Sequence, residues 1–158
     1  MITINIGFVK DDTKKRSVGS PEEQLAVELV RTAELLSQRP TELIKGEELS
    51  RTQYNVLRIL RGTPDGLSCG EVGERLIAKD PDITRLLDRL EKRHLIARFR
   101  APQDRRTVVT QITAAGLALL ERLDEPMQAI HHQQLGHLGP NRLLELRRLL
   151  MECRQEPA

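Results

Sequence analysis

A mainly α-helical fold with one small β-hairpin is predicted by three observations. Capping signals recur along the chain, apolar residues at helical spacing follow each of them, and the pattern changes once, after His94, to strand-like alternation. The 158 residues suit one compact domain with an appended dimerisation element rather than two independent domains. Hydrophobic residues make up 39% of the chain and charged residues 30%, enough for a core beneath a highly charged surface. With no Trp, one Tyr and two Phe, that core must be built from Leu, Ile, Val and Ala. Stacking of bases on aromatic rings, the device of single-strand binders, has almost nothing to work with.

Residues 1–20 read as a polar arm after an apolar start at Ile2, Ile4 and Ile6. Ser20-Pro21-Glu22-Glu23 is a capping box with proline at the first helical position, and Leu25, Leu29, Ala33 and Leu36 continue at helical spacing. This helix is expected to stop near Arg39, because Pro40 follows. Ser50-Arg51-Thr52-Gln53 starts a second helix burying Tyr54, Leu57 and Leu60, ended by Gly62 and the turn Thr63-Pro64-Asp65-Gly66. Ser68-Cys69-Gly70-Glu71 caps a third through about Leu76, where Gly73 is expected to mark close helix packing.

Asp80 is expected to cap the fourth helix, with Pro81 at its first position. Ile83, Leu86, Leu87 and Leu90 form one stripe of it, and Arg85, Asp88, Arg89 and Lys92 the opposite one. Beyond His94 the residues alternate, with Ala97 and Phe99 on one side and Arg98 and Arg100 on the other. Thr107 to Ile112 is β-branched, so residues 95–112 read as a hairpin with a basic tip at Arg105 and Arg106. Thr113 caps a long helix carrying Leu117, Leu120 and Leu123, which Pro126 should kink or restart. After Gly139-Pro140, a last helix is rich in leucine: Leu143, Leu144, Leu146, Leu149 and Leu150.

Net charge is only +2, so the placement of charge matters more than its sum. From Arg85 to Arg106 there are eight Lys or Arg against three Asp or Glu, which leaves the rest of the chain slightly acidic. Two short helices followed by a basic hairpin are the parts of a winged helix-turn-helix, whose second helix enters a major groove about 12 Å wide. Thr84, Arg85 and Arg89 are the candidate base readers, with Lys92, Arg98 and Arg100 on the same basic surface. Asp82 has three readings: acceptor for a cytosine amino group, partner of the helix dipole, or buttress of a neighbouring arginine.

Other chemistries find little support. The chain has no GxGxxG, P-loop, HExxH or GxSxG pattern, so no enzyme and no cofactor are expected. Cys69 and Cys153 lack CxxC spacing, which fits a reducing compartment and a packed thiol better than a redox site. His131, His132 and His137 miss the i, i+4 spacing that puts two ligands on one helical face, and no metal site is predicted. No apolar run has the length of a membrane span or signal peptide, so a cytoplasmic protein is expected.

Ile83 to Arg93 (ITRLLDRLEKR), followed by Asp104-Arg105-Arg106 and by Ile112-Thr113-Ala114-Ala115-Gly116, resembles the MarR family of bacterial winged helix-turn-helix regulators; the match runs from Leu49 to Leu123. The resemblance implies a homodimer joined through its first and last helices, with two recognition helices in successive major grooves of a near-palindromic duplex. It places Thr84, Arg85 and Arg89 on the recognition helix, and Arg105 and Arg106 on the wing, with Asp104 pairing to an arginine at the wing tip. It also implies a small, often phenolic, ligand between the dimerisation helices and the DNA-binding lobe, acting as the effector of a repressor. His94 stands where the family usually has glycine, so it is expected to take a left-handed conformation.

The expected organisation is therefore an arm over 1–20, a dimerisation helix and its connection over 21–48, a DNA-binding lobe over 49–112, and C-terminal dimerisation helices over 113–158. The rival function is a winged-helix protein-interaction module without DNA binding, since a fold does not fix a function.

Overall fold

The computed structural model describes residues 19–78, 80–100 and 107–155. In chain order the elements are α1 (Pro21–Gly46), α2 (Arg51–Arg61), β1 (Leu67–Ser68), α3 (Cys69–Arg75), α4 (Ile83–Lys92), β2 (Ile96–Arg100), β3 (Val108–Ile112), α5 (Ala114–Leu135), a 3₁₀ turn over Gly136–Leu138, and α6 (Gly139–Glu152). Two compact units divide between Leu35 and Leu36, partway along α1. No helix among the described residues is long and apolar enough to cross a membrane.

In the first unit Ser20 begins α1 as expected, its Oγ accepting from Glu23 N at 3.3 Å. Leu25, Val27, Val30 and Leu35 of this unit are exposed, although each is an apolar side chain on a well-formed helix.

In the second unit α1 does not stop at Arg39 but passes through Pro40 to Gly46. Proline has no N–H for the carbonyl four residues back, that of Leu36. Gln134 Nε2 of α5 donates to that oxygen at 3.3 Å, and Arg39 Nη1 donates to Gln133 Oε1 at 2.7 Å. The Gln134 bond thus replaces the helical one that proline removes, and the Arg39–Gln133 bond adds a second tie to α5. Pro126 likewise lies inside an unbroken α5, so the expected restart does not occur.

Ser50 and Ser68 form the reciprocal capping boxes read from the sequence, with Gln53 and Glu71. The Ser68 hydroxyl on the Glu71 carboxylate lowers its pKa. Between these caps α2 buries Tyr54, Val56, Leu57 and Leu60, and α3 buries Val72. Leu87 and Leu90 of α4, Ile96 of β2, and Leu120 and Leu123 of α5 complete a core of fully or nearly fully buried aliphatics. Each such burial stabilises the fold by about 1.5–3 kcal/mol. Arg61 closes α2 onto α5 with a two-pronged bond to Asp124 at 2.6 and 3.1 Å. That partner holds Asp124 below its usual carboxylate range and raises Arg61.

The hairpin is joined by a third strand that periodicity did not reveal. The sheet order is β1-β3-β2, all antiparallel, with Leu67 opposite Thr110 and Arg98 also opposite Thr110. A two-residue strand is too short to carry a period of its own. Gly73 has nothing within 4 Å of where a Cβ would sit, so the expected close packing there is absent. Gly116 is the glycine that packing requires: a Cβ would lie 2.3 Å from Leu95 O.

The final helix α6 buries none of its side chains, and Leu144, Leu146, Leu149, Leu150 and Met151 are all exposed.

Candidate nucleic-acid interface

The candidate interface lies on α4 and on the strand that follows it. The helix begins at Ile83, not at Pro81 as the sequence led us to expect. Asp80 Oδ1 accepts from Asp82 N at 2.9 Å, a local turn in which the carboxylate serves a backbone amide two residues on. Asp82 is therefore the N-cap residue, and its side chain makes no capping bond.

From that start Leu86, Leu87 and Leu90 are buried and Ile83 packs partly against them, which fixes the rotation of α4 about its axis. Thr84, Arg85, Arg89 and Lys92 consequently face outward and are exposed, with Asp88 half-buried among them. Asp82 Oδ2 lies 3.8 Å from Arg85 Nη1, both groups well exposed, which favours the buttress reading of this acid. Beside the start of this stripe, the half-buried Cys69 of α3 has its Sγ 3.8 Å from Thr84 Oγ1.

Arg98 is placed differently from the other basic residues. Its Nε donates to Glu91 Oε2 at 2.9 Å and its Nη2 to Asp88 Oδ1 at 2.5 Å, so one guanidinium of β2 spans two carboxylates of α4. The Arg98 guanidinium holds Glu91 below its usual carboxylate range, and Glu91 raises Arg98 in turn. Arg98 therefore joins wing strand to helix rather than offering a free cation, while Arg100 is exposed at the strand end opposite Val108. Asp104, Arg105 and Arg106, with the expected aspartate–arginine pair at the wing tip, lie outside the described residues, as do residues 1–18 of the expected arm over 1–20.

The turn from helix to wing agrees with the sequence. His94 has φ of 57°, the left-handed conformation expected of it. Its carbonyl accepts from Thr113 Oγ1 at 2.7 Å, and Thr113 also caps α5 by accepting from Gly116 N at 3.1 Å. One threonine thus orders the exit from α4 and the start of α5.

The sequence named no residues of a ligand pocket, yet α1, α2 and α5, with Ile77, line an open one of about 490 Å³. Ile44, Tyr54, Ile59 and Met127 supply apolar wall, and Arg51, Arg58 and His131 supply cationic or ionisable groups. The Arg58 guanidinium lies 5.9 Å from the centre of the Tyr54 ring. The i, i+4 spacing of Tyr54 and Arg58 was the available signal; Met127 and His131 come from about seventy positions further along the chain. His131 is itself exposed, as are His132 and His137.

A family model described as the MarR family matches residues 49–108. A MarR transcription factor from Planctomyces limnophilus, known from its crystal structure, is 41% identical; the match covers 84% of this chain and 97% of that one, with a TM-score of 0.64. The PcaV transcriptional regulator of Streptomyces coelicolor, crystallised with its natural ligand, is 29% identical over 82% of this chain and 93% of its own, with a TM-score of 0.66. The homoprotocatechuate degradative operon repressor of Escherichia coli is 23% identical over 82% of this chain and 87% of its own.

Proposed function

The chain belongs to the MarR family of transcriptional regulators, and from that premise we propose that it is a ligand-responsive repressor binding near-palindromic double-stranded DNA as a homodimer. The observation that carries the reading is the outward stripe of α4. Thr84, Arg85, Arg89 and Lys92 stand exposed on a ten-residue helix whose other face is locked into the core. Such a helix fits a major groove, where arginine can donate to guanine edges and threonine can meet a thymine methyl. Arg100, and by the family resemblance Arg105 and Arg106, are assigned to contacts with the phosphate backbone.

The subunit contact is assigned to the N-terminal helix, within residues 21–48, and to the C-terminal helices, within 113–158. The exposed Leu144, Leu146, Leu149 and Leu150 of α6 support it, as do the exposed Leu25, Val27 and Val30 of α1. Apolar surface of this kind calls for a partner. The DNA-binding lobe is 49–112.

The effector is assigned to the cavity between α1, α2 and α5. An apolar slot with Tyr54 on one wall and Arg51, Arg58 and His131 at hand suits a small aromatic acid, phenolic or not. Its bound form would favour a spacing of the reading helices that no longer fits the duplex. Selection of bound sequences from random duplexes, repeated with simple phenolic acids present, tests both parts. A near-palindromic consensus lost on adding such an acid is expected. Retention of no sequence at all by a well-folded dimer would leave the protein-interaction module as the better reading.

A further inference from the structure

Arg93 stands in the basic segment, yet its side chain serves neither the reading stripe nor the wing. It follows the last residue of α4 and is half-buried. Its Nη1 donates to Glu48 O at 2.7 Å and its Nη2 to Glu47 O at 3.1 Å. These carbonyls belong to the turn leaving α1, where the helix has no further backbone donors to offer. The turn is tight: Glu47 N and Leu49 N both bond Ile44 O, at 3.2 and 3.3 Å, and Glu48 has φ of 55°. Two successive carbonyls so presented match the planar guanidinium fork, which a lysine ammonium cannot reproduce.

The rest of this junction is tied as well. The Glu47 carboxylate accepts from Arg122 of α5 at 2.9 Å, and His94 and Leu95 are bonded through their carbonyls to Thr113. Of these bonds, the two from Arg93 are the ones that run from the end of the reading helix to the end of α1.

We infer that Arg93 is a positioning residue for DNA reading: it fixes α4 against the end of α1, and so sets the separation of the two reading helices. The inference rests on the dimeric DNA-binding function proposed above. With α1 joining the subunits, slack between α1 and α4 becomes slack between half-sites. One inserted base pair moves a half-site by about 3.4 Å along the duplex and also rotates it. A rigid link rejects that displacement and a loose one tolerates it.

The test uses the full chain, a duplex that it selects from random DNA, and versions of that duplex with one base pair added or removed between the half-sites. The unmodified protein should prefer the selected spacing by about tenfold or more. Arg93→Gln should reduce that preference to within a few-fold while leaving affinity for random duplex and its salt dependence unchanged, and Arg93→Lys should fall between. An unchanged spacing profile in Arg93→Gln would overturn the inference. So would equal losses on selected and random duplex with a salt slope shallower by about one, the mark of a phosphate contact. If the unmodified protein selects no duplex, the proposed function fails instead, and hydrogen exchange of the free protein decides Arg93. Faster exchange in both 44–49 and 90–95 in Arg93→Gln is expected, and unchanged exchange in either segment overturns the link.

Discussion

Gln134 Nε2 donates to the carbonyl oxygen of Leu36, the acceptor that Pro40 leaves without a helical partner. Through that bond α1 continues past a residue that ends most helices, and its last turn brings Ile44 into the core.

Gln134→Ala should therefore cost about 1 kcal/mol in urea unfolding at fixed protein concentration. In a Pro40→Ala background residue 40 supplies its own N–H, and the cost of losing Gln134 should fall toward zero. Equal costs in both backgrounds would separate the two residues.

The two glycines divide cleanly. Gly73→Ala should stabilise the protein by up to about 1 kcal/mol, since helix propensity improves and a Cβ there meets nothing within 4 Å. Gly116→Ala should destabilise by about 1–3 kcal/mol, because its Cβ would press on Leu95 O and Ile112 Cγ1. Thermal melting of the two variants should move in opposite directions.

Acid titration follows from the two lowered carboxylates that are paired with arginine in the second unit. Glu91 and Asp124 are both held below their ordinary values, chiefly by Arg98 and Arg61. A depressed folded pKa gives stability that is present above the unfolded value, about 4, and lost as pH falls through the folded one. Glu91→Gln with Asp124→Asn should lower stability near neutrality and flatten its decline in acid. A decline as steep as in the unmodified chain would show that other groups control it.

Arg89 and Arg98 should behave differently in DNA binding although both are basic. Arg89→Gln removes an exposed cation and should make the salt dependence shallower by about one. Arg98 is engaged by Asp88 and Glu91, so Arg98→Gln should weaken binding with the salt slope unchanged. A slope change in the Arg98 variant equal to that for Arg89 would place its guanidinium on phosphate.

The features legible in the sequence were those that local chemistry decides. Ser50, Ser68 and Thr113 cap helices because a hydroxyl followed by free amides acts wherever it occurs, and Leu86, Leu87 and Leu90 turn inward because period alone orients an amphipathic helix. The left-handed His94 was implied by the family resemblance, since the family usually has glycine at that place. What stayed hidden depends on distant partners. Pro40 reads as a stop until Gln134 is brought beside Leu36, and Asp80 reads as a cap until its carboxylate is found serving a turn. Arg98 reads as part of the basic DNA-facing surface until Asp88 and Glu91 are found beside it, and Arg93 counts only as one more basic residue until its acceptors at Glu47 and Glu48 are in view. The cavity needs three helices at once.

The central claim is that the α4 stripe and the adjoining wing bind duplex DNA through phosphates and base edges. Affinity of the full chain for genomic duplex fragments, measured across a salt series, tests it most directly. Several phosphate contacts predict a linear fall of log affinity with log salt, at a slope of about −0.9 per phosphate neutralised. Binding that stays undetectable at low salt, by a protein that is folded and dimeric, would contradict the account.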